Sequence, residues 1–120
     1  MDTRSMSDTE CLQVMGVYTL LLKPMTTWSM PRFVKYVQED RIRELGVAKA
    51  IEMIGESASS VSQTARNEYK QIDFEKLTKL RNTIVHAYGT VHINDLFSTL
   101  KNDIPDLHKE LNQHGFIRHD

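Results

Sequence analysis

The sequence predicts an all-α protein, an up-and-down four-helix bundle with one extra short helix. Three observations carry this reading. Apolar residues recur at spacings of three and four along nearly the whole chain. The two-residue alternation of a half-buried strand is absent. The interruptions fall at residues that start or stop helices, namely Pro24, Pro31, Asp73 and Gly89.

In the first helix, Cys11, Val14, Met15, Tyr18, Leu21, Leu22 and Met25 trace one face, and Lys23-Pro24 with Thr-Thr-Trp-Ser closes it. Trp28, between threonine and serine, reads as a packing anchor. Pro31 suits the first position of a short helix, where its missing N–H is not needed, and Phe33, Tyr36 and Val37 supply that helix with an apolar side. A longer helix follows, with Ile42, Leu45, Ala48, Ile51, Met53, Ile54, Ala58 and Val61 as its stripe. Its small residues Gly46, Ala48, Ala50, Gly55 and Ala58 would let a neighbouring helix come close. Residues 62–72 read as a loop with a turn of helix. Asp73 is the expected N-cap of the next helix, which carries Phe74, Leu77, Leu80, Ile84 and Tyr88 on one face and stops at Gly89. Ile93, Leu96, Phe97, Leu100, Ile104, Leu107 and Leu111 mark the last helix, with a kink expected at Pro105.

The 120 residues read as one domain, 1–120, with 1–8 and 115–120 expected to be flexible. A net charge of -1 excludes a strongly basic nucleic-acid coat but not a local basic pocket. One cysteine, Cys11, rules out an intrachain disulfide and fits a reducing compartment. Five scattered histidines do not form the ligand spacing of a structural zinc site, so no metal and no cofactor is expected. The apolar stretch Val14–Leu22 is far shorter than the roughly 20 residues that cross a bilayer, and no small-residue cleavage site follows it. The expected location is cytoplasmic, without membrane association.

The candidate chemistry lies in Leu80-Arg81-Asn82-Thr83-Ile84-Val85-His86-Ala87-Tyr88-Gly89. An arginine holds phosphate with a planar fork of donors, and a histidine moves protons near neutral pH. Together they suffice for phosphodiester cleavage without a metal. His86 would act as base or acid on a ribose 2′-OH or leaving oxygen, and Arg81 would stabilise the charge growing on the phosphoryl group. At about 100° per residue, positions 81 and 88 lie roughly 20° apart around a helix, whereas 81 and 86 lie roughly 140° apart. One ideal helix does not aim Arg81 and His86 at one phosphate. Either the helix loosens just before Gly89, or a second copy of the segment completes the site across a two-fold axis; the homodimer is the favoured reading. The competing structural reading makes Arg81 a salt-bridge partner, His86 a helix-terminal residue and Tyr88 a core residue. Lys70, Lys76 and Lys79 are near enough in sequence to add positive potential, and Glu56 is a candidate to orient Arg81. His92, His108, His114 and His119 read as surface residues.

The full string Arg81-x4-His86-x-Tyr88 resembles the Arg-x4-His-x-Tyr motif of HepT-like toxins, a branch of the HEPN superfamily, and Asn82 fits the polar residue that follows the arginine there. Ile51-Glu52-Met53-Ile54-Gly55-Glu56-Ser57-Ala58 is similar to the family's Leu-Glu-x-Ile-Gly-Glu-Ala-Ala stretch. Ile72 to Leu77 and Leu96 to Leu107 resemble two further segments in the same order, and the likeness runs from about residue 10 to residue 112. Leu45 and Lys49 stand where the family usually has Asp and Arg, and Asp73 where it has proline. The resemblance implies a HEPN-like bundle, a homodimer with the motif at its cleft, and an endoribonuclease acting as the toxin of a prokaryotic toxin–antitoxin pair. It implies Arg81 and His86 as catalytic residues and Asn82 as a supporting one. It also implies Tyr88 as the acceptor of AMP from a MntA-like nucleotidyltransferase antitoxin. Beside it stand two other readings: a non-catalytic HEPN partner that docks a nucleotidyltransferase, and a plain helical dimerisation module.

Overall fold

Ser7 starts the first helix with a reciprocal cap. The Glu10 N–H donates to Ser7 Oγ at 3.1 Å, and the Ser7 N–H donates to Glu10 Oε1 at 3.2 Å. The computed structural model describes residues 6–86 and 93–119, apart from the side chains of 82–86. Helix α1 spans Asp8–Leu22 and tightens into a 3-10 turn at Lys23–Thr27, where Pro24 cannot continue the ladder. Ser29 caps α2, Met30–Glu39, with Pro31 in its first turn. Asp40 accepts from the Ile42 N–H at 2.9 Å and opens α3, Arg41–Ser59. Ser62 caps the short α4, Gln63–Glu68, within the segment expected to hold a turn of helix. Asp73 accepts from the Lys76 N–H at 3.0 Å, as expected of an N-cap, and α5 runs Phe74–His86.

The last expected helix is two: α6, Ile93–Asn102, and α7, Ile104–Gln113. Pro105 removes one ladder donor and its ring collides with the carbonyl four residues back. The chain therefore ends one helix and starts another around Asp103 rather than bending a single rod.

The secondary structure of the described residues is helical throughout, and one apolar core runs from Cys11 to Ile117. α3 lies at its centre, packed on α5 and α1, while α2 covers α3 and α6, and α7 closes on α1. Contacts at the ends give the directions. Asp8 Oδ1 accepts from the Ser62 N–H at 2.8 Å, so α1 begins where α3 ends. Arg66 bridges Ala58 and Val61, at the end of α3, to the Phe74 ring at the start of α5, while Gly55, further back in α3, meets Leu77 and Arg81, further along α5, so these two also run antiparallel. Among the described residues, no helix is long and apolar enough to cross a membrane.

Two expectations about helix faces change. Leu21 is 62% exposed, because α1 buries Cys11, Leu12, Met15, Gly16, Thr19 and Leu22 instead. Ile42 and Leu45, expected on the α3 stripe, are 75% and 46% exposed. They lie in the first half of α3, and its buried residues begin at Val47. Within the described residues near the two ends, Met6 packs on the core, Asp8 holds Ser62, and Ile117 is buried. Trp28 is the anchor expected, edge-on to Tyr36 at 5.1 Å with the Arg32 guanidinium 4.3 Å from its ring centre.

Candidate functional site

Arg81 sits on α5 where that helix touches α3. The contact is backbone on backbone. A Cβ placed on Gly55 would lie 2.3 Å from Arg81 Cβ, 2.8 Å from the Leu77 carbonyl oxygen and 3.0 Å from Arg81 Cα. Glycine is therefore required at 55 for this approach. By contrast, a Cβ on Gly46 would meet nothing within 4 Å. Of the small residues in α3, the structure selects Gly55 as the one beneath the candidate arginine. Leu77 is buried and Leu80 partly buried against the core, which leaves Arg81 half-buried at the rim of the helix pair.

α5 stays helical through His86. Positions 81 and 86 thus keep their separation of about 140° around the axis and lie about 7.5 Å apart along it. The side chains of Asn82 and His86, and all of Tyr88, lie outside the described residues, as does His92. Glu56 follows Gly55 directly and is half-buried, which puts its backbone beside the same helix contact.

Two of the lysines expected to add positive potential are paired with carboxylates. Lys76 Nζ pairs with Asp103 Oδ1 at 2.8 Å, and that hydrogen bond, with the carboxylate's charge, holds the ammonium above the usual lysine range. Lys79 pairs with Glu75 at 3.4 Å. The charges of Lys76 and Lys79 are thus matched by local carboxylates. Lys70 is exposed in the link between α4 and α5.

The other described histidines make local contacts. His114 stands edge-on to Tyr69 at 4.9 Å and lies 4.0 Å from Glu110, while His119 is 2.7 Å from Asn112 Oδ1. His108 is more enclosed than a surface residue. Its pKa is depressed, first by burial and then by the positive charges of Lys23 and His119.

The residue missed in sequence is Arg66. Its Nε donates to the Val61 carbonyl and its Nη2 to the Ala58 carbonyl, each at 3.0 Å, while its guanidinium lies 5.7 Å from the Phe74 ring centre. It ties the end of α3 to the start of α5 and so helps hold the contact on which Arg81 rests. Arg66 lies inside α4, and its partners are set by tertiary packing, so no local signal in the sequence pointed to it.

A helical bundle that seats the arginine of an Arg-x4-His-x-Tyr string on its central helix pair is a HEPN-type protein. Residues 29–114 match the family described as "Ribonuclease HepT-like", and the chain belongs to that family. It is similar to "Probable ribonuclease HepT" of Thermococcus cleftensis, 29% identical over 68 residues, which is 57% of this chain and 62% of that protein. It is also similar to two proteins of Methanocaldococcus jannaschii. "Putative RNase MJ1216" is 31% identical over 64 residues, 53% of each chain. "Putative RNase MJ1380" is 26% identical over 77 residues, 64% of this chain and 70% of that one. The matched region thus spans between about half and seven-tenths of these relatives' lengths. No solved structure matches the chain.

Proposed function

We propose that the chain is an endoribonuclease that cuts RNA without a metal ion, with Arg81 and His86 as its catalytic residues. The observation that carries this reading is the family match, which runs across the whole of Arg81–Tyr88 and includes relatives named as ribonucleases. In the reaction, a ribose 2′-oxygen attacks the adjacent phosphorus and gives its proton to a histidine. The bond to the 5′-oxygen breaks, and that oxygen takes a proton. The products are a 2′,3′-cyclic phosphate and a 5′-hydroxyl. Arg81 binds the non-bridging oxygens, where charge builds up, and Asn82 supports it. Because positions 81 and 86 diverge on one helix, the working site combines the arginine of one copy with the histidine of a second in a homodimer.

In this reading the protein is the cytoplasmic toxin of a prokaryotic toxin–antitoxin pair. A MntA-like nucleotidyltransferase silences it by transferring AMP to the Tyr88 hydroxyl. Tyr88 follows Arg81 by seven positions, so a phosphate added there competes for the same guanidinium and blocks RNA.

The test is cleavage of cellular RNA by purified protein in EDTA. Wild-type protein is expected to cut, and Arg81→Ala and His86→Ala to keep only a slow residual rate. Mixing the two impaired variants should restore about a quarter of the wild-type activity. Half of the randomly paired dimers are mixed, and each mixed dimer holds one intact site of two. No cleavage by wild type, or full activity in His86→Ala, refutes the enzyme reading; tight binding of a nucleotidyltransferase without turnover would then favour the docking-partner reading. No recovery on mixing refutes the shared site. AMP transfer is checked by intact mass after co-expression with the nucleotidyltransferase, the added mass being lost in Tyr88→Phe.

A further inference from the structure

We propose that Gly55 is the positioning residue for Arg81, fixing where the guanidinium stands by letting α5 rest directly on the α3 backbone. This rests on the ribonuclease reading for its catalytic consequence, but not for its geometry. Three atoms crowd the place where a side chain at 55 would begin: Arg81 Cβ at 2.3 Å, the Leu77 carbonyl oxygen at 2.8 Å and Arg81 Cα at 3.0 Å. None is the far end of a flexible side chain, so no rotamer change relieves the crowding. A methyl group there reaches ordinary contact only if α5 retreats by about 1 Å at Arg81, since packed interiors have little slack. The displaced residue is the arginine itself, and an error of about 1 Å in a catalytic group costs on the order of 10²-fold in rate.

The same molecule supplies a control. A Cβ on Gly16 would lie 2.1 Å from the Phe116 carbonyl oxygen, an equally severe clash, but with the C-terminal segment and not with α5. Gly16→Ala therefore perturbs packing without pressing on Arg81.

The experiment compares wild type, Gly55→Ala, Gly16→Ala, Arg81→Ala and the Gly55→Ala/Arg81→Ala double variant, all as the full chain. It uses two readouts: the NMR resonance of the Arg81 Nε–H, and the single-turnover rate on saturating cellular RNA in EDTA. Expected for Gly55→Ala is a shifted Arg81 resonance and a rate lower by about 10²-fold. Gly16→Ala should lose stability while keeping both the resonance and the rate. In the Arg81→Ala background, Gly55→Ala should lower the residual rate by less than about 3-fold, because its effect runs through an arginine no longer present.

An unmoved resonance or an unchanged rate in folded Gly55→Ala overturns the proposal. So does an equal loss in Gly16→Ala, or a full further loss in the double variant. Should Gly55→Ala unfold in buffer, the measurements are made in trimethylamine N-oxide, which favours the compact state. A chain that stays unfolded even there, while Gly16→Ala folds, shows the contact to be structural only and also overturns the proposal. If wild-type protein cuts no RNA, the ribonuclease reading fails, and the resonance alone decides the positioning role.

Discussion

Replacing Arg66 with alanine should cost about 2–3 kcal/mol of stability, most of it from two carbonyl groups at and just after the end of α3. Nε and Nη2 each donate at 3.0 Å, to the Val61 and Ala58 carbonyls. Ala58 and Val61 are themselves 0% and 4% exposed, so their backbone has limited access to replacement water. A hydrogen bond from a charged donor contributes roughly 1.5–3 kcal/mol. Arg66 is only half-buried, so we take the lower end and allow partial rescue by solvent. The contact with the Phe74 ring at 5.7 Å is near the limit of a cation–π interaction and adds about 0.5 kcal/mol. In a two-state domain of this size, about 4 °C of melting temperature goes with each kcal/mol, so Arg66→Ala should melt about 10 °C lower. Thermal unfolding followed by circular dichroism, with urea titration for the free energy, reads this directly. Arg66→Lys keeps the charge beside the helix end but cannot fork across two carbonyls, and should recover less than half of the loss. A loss under about 0.5 kcal/mol in Arg66→Ala, or complete recovery with lysine, refutes the forked cap as a source of stability.

The remaining predictions concern buried polarity and pH. Thr19 is fully buried, and its hydroxyl has no hydrogen-bond partner among the described residues. Thr19→Val should therefore leave stability unchanged or raise it by up to about 1 kcal/mol in urea unfolding, and a loss of that size would show that the hydroxyl is satisfied. Asp8 accepts from both the hydroxyl and the N–H of Ser62, and these bonds hold its carboxyl below the usual range. A carboxylate depressed in the folded state stabilises above its unfolded pKa and loses that contribution as pH falls through the folded value. The stability difference between wild type and Asp8→Asn should thus be constant near neutrality and shrink below about pH 4; a difference independent of pH down to acid unfolding would contradict it.

Which helices form was legible because periodicity and punctuation are local properties. Asp73, Pro31 and the Lys23-Pro24 pair act within a turn of themselves, and the structure places helix ends at each. Which side of a helix is covered is not a local property. Leu21, Ile42 and Leu45 fit an apolar stripe as well as Leu22 or Ile51 does, yet they are exposed. Periodicity counts apolar residues along one element; burial depends on where the neighbouring elements begin and end. The same limit hid Arg66, whose partners are a carbonyl near the end of α3 and one in the link just after it.

The candidate site was legible as a string of residue types and much less as a geometry. Small residues in α3 predicted close helix contact, but a stripe of five does not say which of them bears it. Gly55 bears it because Arg81 stands opposite, whereas Gly46 meets nothing. The sequence also allowed two ways for Arg81 and His86 to act on one phosphate: a helix loosened before Gly89, or a second copy. Helical geometry continues through position 86. Any loosening would therefore begin beyond His86 and leave the angle between 81 and 86 as it is. What separates the two residues is regular helix, and bringing them together within one chain would mean unwinding the turns that begin at Arg81, where α5 rests on Gly55. The proposed homodimer would avoid that cost, because a two-fold axis would carry a histidine to an arginine without disturbing either helix.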